Sequence, residues 1–160
     1  MTGAKQTVVA AIIALTTIAA GPDPFANLKL PRFGSSTADV QRSLESKCAS
    51  LRTRRIDPPF LREVRTEQLQ VDCDGFQFLG RSRRAEFVIR DGRLVMVWLM
   101  VEGFESNSII KILELTYGPP SAANDDYIAF EDARVAWRHR PAEILFYGEE
   151  LEQELTPRFH

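Results

Sequence analysis

The strongest hydrophobic pattern in the chain lies at residues 84–101. A run rich in apolar and β-branched residues leads into Asp91-Gly92, and the run that follows has no polar residue between positions 94 and 101. Asp-Gly between two such runs predicts a two-residue type I′ hairpin. A strand without polar positions is covered on both faces. We therefore expect this hairpin to lie at the centre of a sheet.

Further strands are predicted on both sides of the hairpin. From Glu67 the period is two, because Leu69, Val71 and Cys73 alternate with polar residues, and this predicts a half-buried strand. Asp74-Gly75 is a tight-turn signal, after which the alternation resumes. Three shorter strands are predicted at 127–130, 134–138 and 143–147.

The first helix is predicted ahead of these strands, over residues 37–51. Val40, Leu44 and Cys48 recur every four residues and therefore lie on one helical stripe. N-cap candidates at 35–39 precede them. This helix would carry Cys48 on its buried face.

A basic cluster follows the first predicted helix. Arg52, Arg54 and Arg55 precede Asp57-Pro58-Pro59, which stops any helix. Because cations suit the C-terminal end of the helix macrodipole, we interpret the cluster as a solvated helix end. Anion binding is the alternative.

A second helix is predicted between the two sets of strands. Ser106 or Asn107 can cap it, and Gly118-Pro119-Pro120 ends it. Helices segregated from runs of antiparallel strands indicate an α+β domain, here an antiparallel sheet of about five to seven strands with two helices packed on it. The 84–101 hairpin would be central in that sheet.

The N-terminal residues have the order of a secretory signal peptide. Lys5 precedes an uncharged run at 7–20 that ends in small residues, and Gly21-Pro22 follows. The run of about 14 residues is shorter than the roughly 20 that a membrane-spanning helix needs. An uncleaved anchor is the alternative.

This signal sets the expected division of the chain and its compartment. We expect a signal peptide at 1–20, a linker at 21–34 with a short edge strand at 28–30, one α+β domain at 35–148 and an acidic C-terminal tail at 149–160. The tail is expected to form one or two helical turns that end before Pro157. The predicted location is periplasmic or secreted, with no stable membrane span after cleavage.

Cys48 and Cys73 are the two cysteines of the chain. In an exported protein two cysteines predict one disulfide, and a helix stripe and a strand face can bring these two together across one core. They lack the close spacing of a redox pair, and the two histidines lack the spacing of zinc ligands. Two free buried thiols are the alternative.

Composition and motifs exclude several classes of function. The chain has 20 Lys and Arg against 22 Asp and Glu, a net charge of −2, which gives no long-range attraction to nucleic acid. No nucleotide-binding or serine-hydrolase motif occurs. An enzyme would need a cleft that gathers residues such as Asp72, His139 and Glu143. We predict no catalytic residue, no cofactor and no metal site.

Two short segments carry a resemblance to a known group. They are the helix entry at 33–40, Phe-Gly-Ser-Ser-Thr-Ala-Asp-Val, and the helix exit at 113–119, which ends in Tyr-Gly-Pro. With the order helix, meander, helix, meander, the chain resembles the small exported α+β domains of the β-lactamase-inhibitor-protein-like group, which includes outer-membrane assembly lipoproteins. The lipobox cysteine of those lipoproteins is absent. The resemblance implies binding to other proteins through a sheet face.

The sequence therefore favours an exported, non-catalytic domain that binds another protein in the cell envelope. The alternative function is a small-molecule or lipid carrier with a cavity between helices and sheet. A carrier of that kind requires a cavity in the folded domain that is large enough to hold a ligand.

Overall fold

The computed structural model describes Phe25 and residues 28–101 and 105–160. The predicted signal peptide at 1–20 and residues 21–24 and 26–27 of the predicted linker lie outside the described residues. In chain order the elements are α1 (Thr37–Leu44), β1 (Ser50–Ile56), β2 (Gln68–Phe78), β3 (Arg81–Arg90), β4 (Arg93–Met100), α2 (Ser106–Tyr117), β5 (Ala122–Ala123), β6 (Tyr127–Phe130), β7 (Val135–Arg138), β8 (Glu143–Tyr147) and α3 (Glu152–Phe159).

The strands of the described residues form one antiparallel sheet in the order β1-β2-β3-β4-β8-β7-β6-β5. The α+β class is confirmed, and the hairpin of β3 and β4 is central as predicted. The sheet has eight strands instead of about five to seven, because β1 and the two-residue β5 were not expected. The described residues also contain three α-helices instead of two.

The hairpin turn and the second helix follow their local sequence signals. Asp91 and Gly92 have φ angles of 51° and 78°, and positive φ at both central residues is the requirement of a type I′ turn. The helix α2 ends at Gly118, whose N–H donates to the carbonyl of Glu114. The turn and the end of α2 are confirmed because short-range backbone geometry decides them, whereas the N-cap of α2 is Glu105 instead of the predicted Ser106 or Asn107.

The expected helix over 37–51 is wrong beyond Leu44. After α1 ends, the N–H of Ala49 donates to the carbonyl of Asp74 at 2.7 Å and starts a β ladder. Leu51 then pairs with Cys73 in the register of β1 and β2. The arginines that were interpreted as a helix end therefore lie on an edge strand.

Two other local predictions are corrected. Asp74-Gly75 is not a turn, because β2 continues through it with a register shift that accommodates the extra residue as a β-bulge. Gly75 has a φ of 87°, and a Cβ on it would lie 2.9 Å from Ala49. The turn comes later, at Leu79 and Gly80, and residues 28–30 are irregular instead of forming a strand.

Each face of the sheet has its own core. The first face packs against α1 and α2. Its buried residues include Val71, Cys73, Phe87, Leu94, Val97, Trp137 and Ile144 of the sheet, Val40 and Leu44 of α1, and Ile109 and Leu113 of α2. The second face has a smaller core beneath α3 and residues 57–67, which includes Leu61, Val88, Met96, Leu145, Tyr147, Leu155 and Phe159.

Residues 149–160 form a packed part of the second core. After a 3₁₀ turn at Glu149–Leu151, α3 runs through Pro157 to Phe159. The expectation that helical structure ends before Pro157 is wrong, because Leu155 and Phe159 are both buried against the sheet and hold the final turn in place.

The segment between β1 and β2 is held on the second face by side-chain acceptors. Gln68 Oε1 accepts hydrogen bonds from the N–H groups of Phe60 and Leu61 at 3.2 and 3.0 Å. Asp91 Oδ1 accepts from the N–H of Thr66 at 2.7 Å. Satisfying these backbone donors lets the segment pack Leu61 into the core.

Cys48 and Cys73 lie at disulfide-bonding distance, with their Cα atoms 5.4 Å apart. Cys48 follows α1 instead of lying within it, and Cys73 faces the first core from β2. The pair therefore ties the end of α1 to the sheet. Among the described helices, none is long and apolar enough to cross a membrane.

Candidate binding surface

Part of the second sheet face carries charged side chains that α3 leaves accessible. The side chains of Arg84 and Arg54 are 49% and 40% exposed there. We call this surface the charged face. It consists of Arg54, Asp72, Arg84, Glu86, Trp98, Arg138 and Glu143.

Strand alternation places these residues together. Glu86 is two residues from Val88, which belongs to the second core, and Glu143 is likewise two residues from Leu145. Residues two apart on a strand point to the same side of the sheet. The charged face therefore continues the second core toward β1 and toward the ends of β4, β7 and β8.

Asp72 is the centre of a polar network on β1, β2 and β3. Its Oδ2 lies 3.1 Å from Arg54 Nε, and its Oδ1 accepts a hydrogen bond of 2.6 Å from Gln70 Nε2. Arg84 Nη2 lies 3.6 Å from Asp72 and 2.9 Å from Glu86. The two carboxylates are therefore shared between two guanidinium groups.

An aromatic and ionic cluster occupies the other half of the charged face. The Arg138 guanidinium carbon lies 4.3 Å from the centroid of the Trp98 ring, within cation–π distance. Arg138 is also ion-paired with Glu143, which is only 2% exposed. Glu86 lies directly opposite Trp98 in the register of β3 and β4, so the two halves are adjacent.

The cross-strand pair of Asp72 and Glu86 sets the electrostatics of the surface. These two acids lie opposite each other, an arrangement that is destabilising for like charges. Burial raises the pKa of Glu86, the neighbouring Arg84 opposes that rise, and Asp72 adds to it. Arg84 therefore keeps two close carboxylates compatible with the folded sheet.

The structure does not gather Asp72, His139 and Glu143 into a cleft. Asp72 and Glu143 share the charged face, but β3 and β4 lie between their strands, a separation of roughly 14 Å at the usual strand spacing. His139 Nδ1 accepts a hydrogen bond of 3.3 Å from Trp137 Nε1, and Trp137 is buried in the first core. These three candidate residues therefore do not share one cleft.

The described residues lack the geometry of a metal centre, and two of their surface pockets are small. None of their His, Cys, Asp and Glu side chains form a group of three or more suited to a metal ion. Two surface pockets, beside the α2–β5 connection and beside Lys47, have volumes of 220 and 250 Å³. Both are smaller than the roughly 300–1,000 Å³ of most small-molecule sites.

Sequence reasoning missed the charged face because its residues are far apart in the chain. One local signal was present on β1, where Arg52 and Arg54 alternate with Leu51 and Thr53. The same arginines were interpreted more simply as the solvated C-terminal end of a helix. The contacts to Trp98 and Arg138 depend on the pairing of β4 with β8, for which the sequence has no local signal.

The charged face is the main structural guide to the function of this chain. Its charges are paired, its aromatic ring is covered by a guanidinium group, and it lies on a rigid sheet. Such a surface can recognise a patterned partner but has no free acid, base or nucleophile in a cleft. No family model, no curated protein and no solved structure matches this chain.

Proposed function

We propose that this chain is an exported, non-catalytic domain that binds another protein of the cell envelope through the charged face. The observation that carries the proposal is the connected row of Arg54, Asp72, Arg84 and Glu86 next to Trp98. Trp98 is only 8% exposed and lies under Arg138, so the contact surface is formed mainly by the arginines, which are enriched among the residues that contribute most to protein–protein binding. A sheet holds them in fixed positions, which limits the entropy lost on association.

Export is supported by the cysteine pair and the N-terminal signal pattern. Disulfides form and persist in oxidising compartments, and Cys48 and Cys73 are positioned to form one. We expect the mature protein to begin near Ala20 or Gly21. N-terminal sequencing of the protein from its native host tests this, and an intact Met1 in the membrane fraction would contradict it.

The mode of binding agrees with what the resemblance to the β-lactamase-inhibitor-protein-like group implies, namely recognition through a sheet face. The residues that define the charged face are three arginines and three acids beside Trp98, and the exposed Arg52 adjoins them on β1. A balanced pattern of charges favours a partner with complementary charges at matching positions, because each mismatched charge is penalised. It gives little attraction to a uniform polyanion.

Capture from the native host tests the proposal. The tagged wild-type protein is compared with the double variant Arg54→Ala/Arg84→Ala, and envelope proteins that co-purify are identified by mass spectrometry. Asp72 and Glu86 are only 12% and 18% exposed, so the loss of both arginines costs more stability than the loss of exposed ion pairs. Capture is therefore measured at a temperature at which thermal unfolding shows the variant to be folded, and we expect the folded variant to lose the partner that the wild-type protein captures.

The matched control removes two exposed arginines elsewhere. Arg32 lies before α1 and Arg140 lies in the turn between β7 and β8, and both are exposed. The variant Arg32→Ala/Arg140→Ala should capture the partner as the wild-type protein does. Equal capture by the charged-face variant and the wild-type protein would contradict the proposal.

A further inference from the structure

The strand β1 ends the sheet on the side of the charged face. It pairs with β2 along all seven of its residues, from Ser50 opposite Asp74 to Ile56 opposite Gln68, without a register shift. Within the described residues nothing pairs with its other side. An edge strand presents unpaired N–H and C=O groups along that side, which can bind a further strand.

Positive charge lines this open edge. Arg52 and Arg55 are exposed, and in the part of the chain that the structure describes neither is held in an ion pair. Arg54 shares Asp72 with Arg84 and is still 40% exposed. An approaching acidic segment would therefore find two guanidinium groups without carboxylate partners and a third that is only partly neutralised.

The same charges oppose pairing with a second copy of this chain. If two β1 strands met antiparallel about Thr53, Arg52 of one copy would lie opposite Arg54 of the other. Like charges directly opposite each other destabilise a strand pair. The charge pattern thus disfavours self-association and favours an acidic strand.

We propose that β1 accepts an extended acidic segment of the partner protein, which adds to the sheet as a further antiparallel strand. The proposal rests on the proposed function, because it names the part of the partner that the domain recognises. Main-chain hydrogen bonds would provide affinity in this mode, and alternating side-chain contacts would provide specificity. We choose the antiparallel orientation because it matches the whole sheet and pairs slightly more strongly.

The two sides of β1 define the sequence of the segment. Arg52 and Arg54 point to the charged face, so acids are expected opposite both. Leu51 packs against the first core, and Thr53 Oγ1 accepts a hydrogen bond from Gln41 Nε2. Apolar or β-branched residues suit the positions opposite these two. With an acid opposite Arg55, an antiparallel segment reads acid-acid-apolar-acid-apolar.

A synthetic peptide tests this prediction on the purified full chain. The probe contains Glu-Glu-Val-Glu-Val between Gly-Ser ends, and the charge control contains Lys-Lys-Val-Lys-Val. A backbone control keeps the acidic sequence but carries N-methyl groups on alternate residues along one edge, one peptide for each edge. Binding is measured by calorimetry, and amide hydrogen exchange of residues 50–56 reports on the strand edge.

The expected result has three parts. The acidic peptide binds about tenfold or more tightly than the lysine peptide, because like charges on the edge repel. Methylation of the pairing edge abolishes detectable binding, and amide exchange in β1 slows when the acidic peptide is bound. In Arg52→Ala/Arg55→Ala, affinity falls by about two- to thirtyfold, since each of the two exposed ion pairs contributes about 0.2–1 kcal/mol. Arg32→Ala/Arg140→Ala leaves the affinity unchanged.

Different results separate this inference from the proposed function. Strand addition is overturned if the acidic peptide does not bind, if both methylated peptides bind equally well, or if exchange in β1 is unchanged. Capture of the partner that still depends on Arg54 and Arg84 would then leave the proposed function standing. If Arg54→Ala/Arg84→Ala captures the partner as well as the wild-type protein does, the proposed function is overturned, whether or not the peptide binds.

Discussion

The two faces of the same sheet have opposite character, and neighbouring residues show it most clearly. Phe87 is fully buried in the first core, whereas Glu86 belongs to the charged face and is ion-paired with Arg84. The first face is apolar beneath both α1 and α2, while the second is apolar only beneath α3 and residues 57–67. An antiparallel sheet can take its stability from one face and leave part of the other for recognition.

The largest expected effect is the loss of a core side chain from the first face. Phe87→Ala removes a buried ring that packs edge-on against Phe76, and such changes cost about 3–5 kcal/mol. Glu86→Ala is the matched control on the other face. In denaturant unfolding, the free energy of unfolding should change by no more than about 1 kcal/mol for Glu86→Ala. Equal losses for both variants would contradict the difference between the two faces.

The next largest effect is expected from the cysteine pair. Both cysteines pack in or against the core of the first face. The crosslink closes a loop with a sequence separation of 25 residues, for which chain-entropy arguments give about 3 kcal/mol. Cys48→Ala/Cys73→Ala should lower the free energy of unfolding by about that amount under oxidising conditions. Reduction of the wild-type protein should produce a similar loss, and no response to reduction would contradict the crosslink.

A smaller effect concerns the segment that covers the second core. The N–H of Thr66, its hydroxyl and the N–H of Arg65 hold the pKa of Asp91 far below its ordinary value of 3.8. As pH falls, the unfolded chain therefore binds this proton before the folded protein does. The contribution of Asp91 to stability is full at neutral pH and declines as pH falls below about 4.

Asp91→Asn tests this pH dependence while keeping a residue that tolerates positive φ. We expect the variant to be less stable than the wild-type protein at neutral pH. The difference should shrink when unfolding is measured at progressively lower pH. A difference that stays constant from neutral to acidic pH would exclude Asp91 as the anchor of the segment.

The smallest effect is expected on the charged face, and its dependence on pH has the opposite sign. Burial raises the pKa of Glu86 above its ordinary value of 4.5, so the folded protein binds this proton before the unfolded chain does. The resulting stability is present at low pH and is lost as pH rises through the raised pKa. Glu86→Gln should therefore change neutral stability by less than about 1 kcal/mol.

The free energy of unfolding of the wild-type protein and of Glu86→Gln, measured as a function of pH, tests this prediction. Lowering the pH from neutral toward 4.5 should stabilise the wild-type protein relative to this variant. The same pH change should not stabilise the wild-type protein relative to Asp91→Asn. Parallel profiles for the wild-type protein and Glu86→Gln would show that burial does not shift this carboxyl group.

Sequence alone predicted the elements whose signals are local. Asp91-Gly92 determines its hairpin because few residue pairs adopt positive φ twice in succession, and Gly118 ends α2 for a related reason. The strand β1 was missed because its arginines and the following prolines also describe a helix end. The pairing of β1 with β2, from Ser50 opposite Asp74 to Ile56 opposite Gln68, distinguishes the two structures, and these contacts are not local.

The candidate site was less predictable than the fold. Asp74-Gly75 was interpreted as a turn two residues after Asp72, but the bulge keeps all three residues within β2. The stacking of Arg138 on Trp98 requires β8 to return beside β4. A recognition surface of this kind is assembled from strands that are adjacent only after folding, so no short motif marks it.

Site-specific photo-crosslinking in the native host tests most directly whether the charged face binds a partner. The photoreactive amino acid replaces Ser82, which is exposed on β3 two residues before Arg84 and points to the same side of the sheet. The control position is Leu115, which is 74% exposed on α2 over the opposite face of the sheet. We expect a specific protein adduct from position 82 and none from position 115. No adduct from position 82, or the same adduct from both positions, would contradict binding through the charged face.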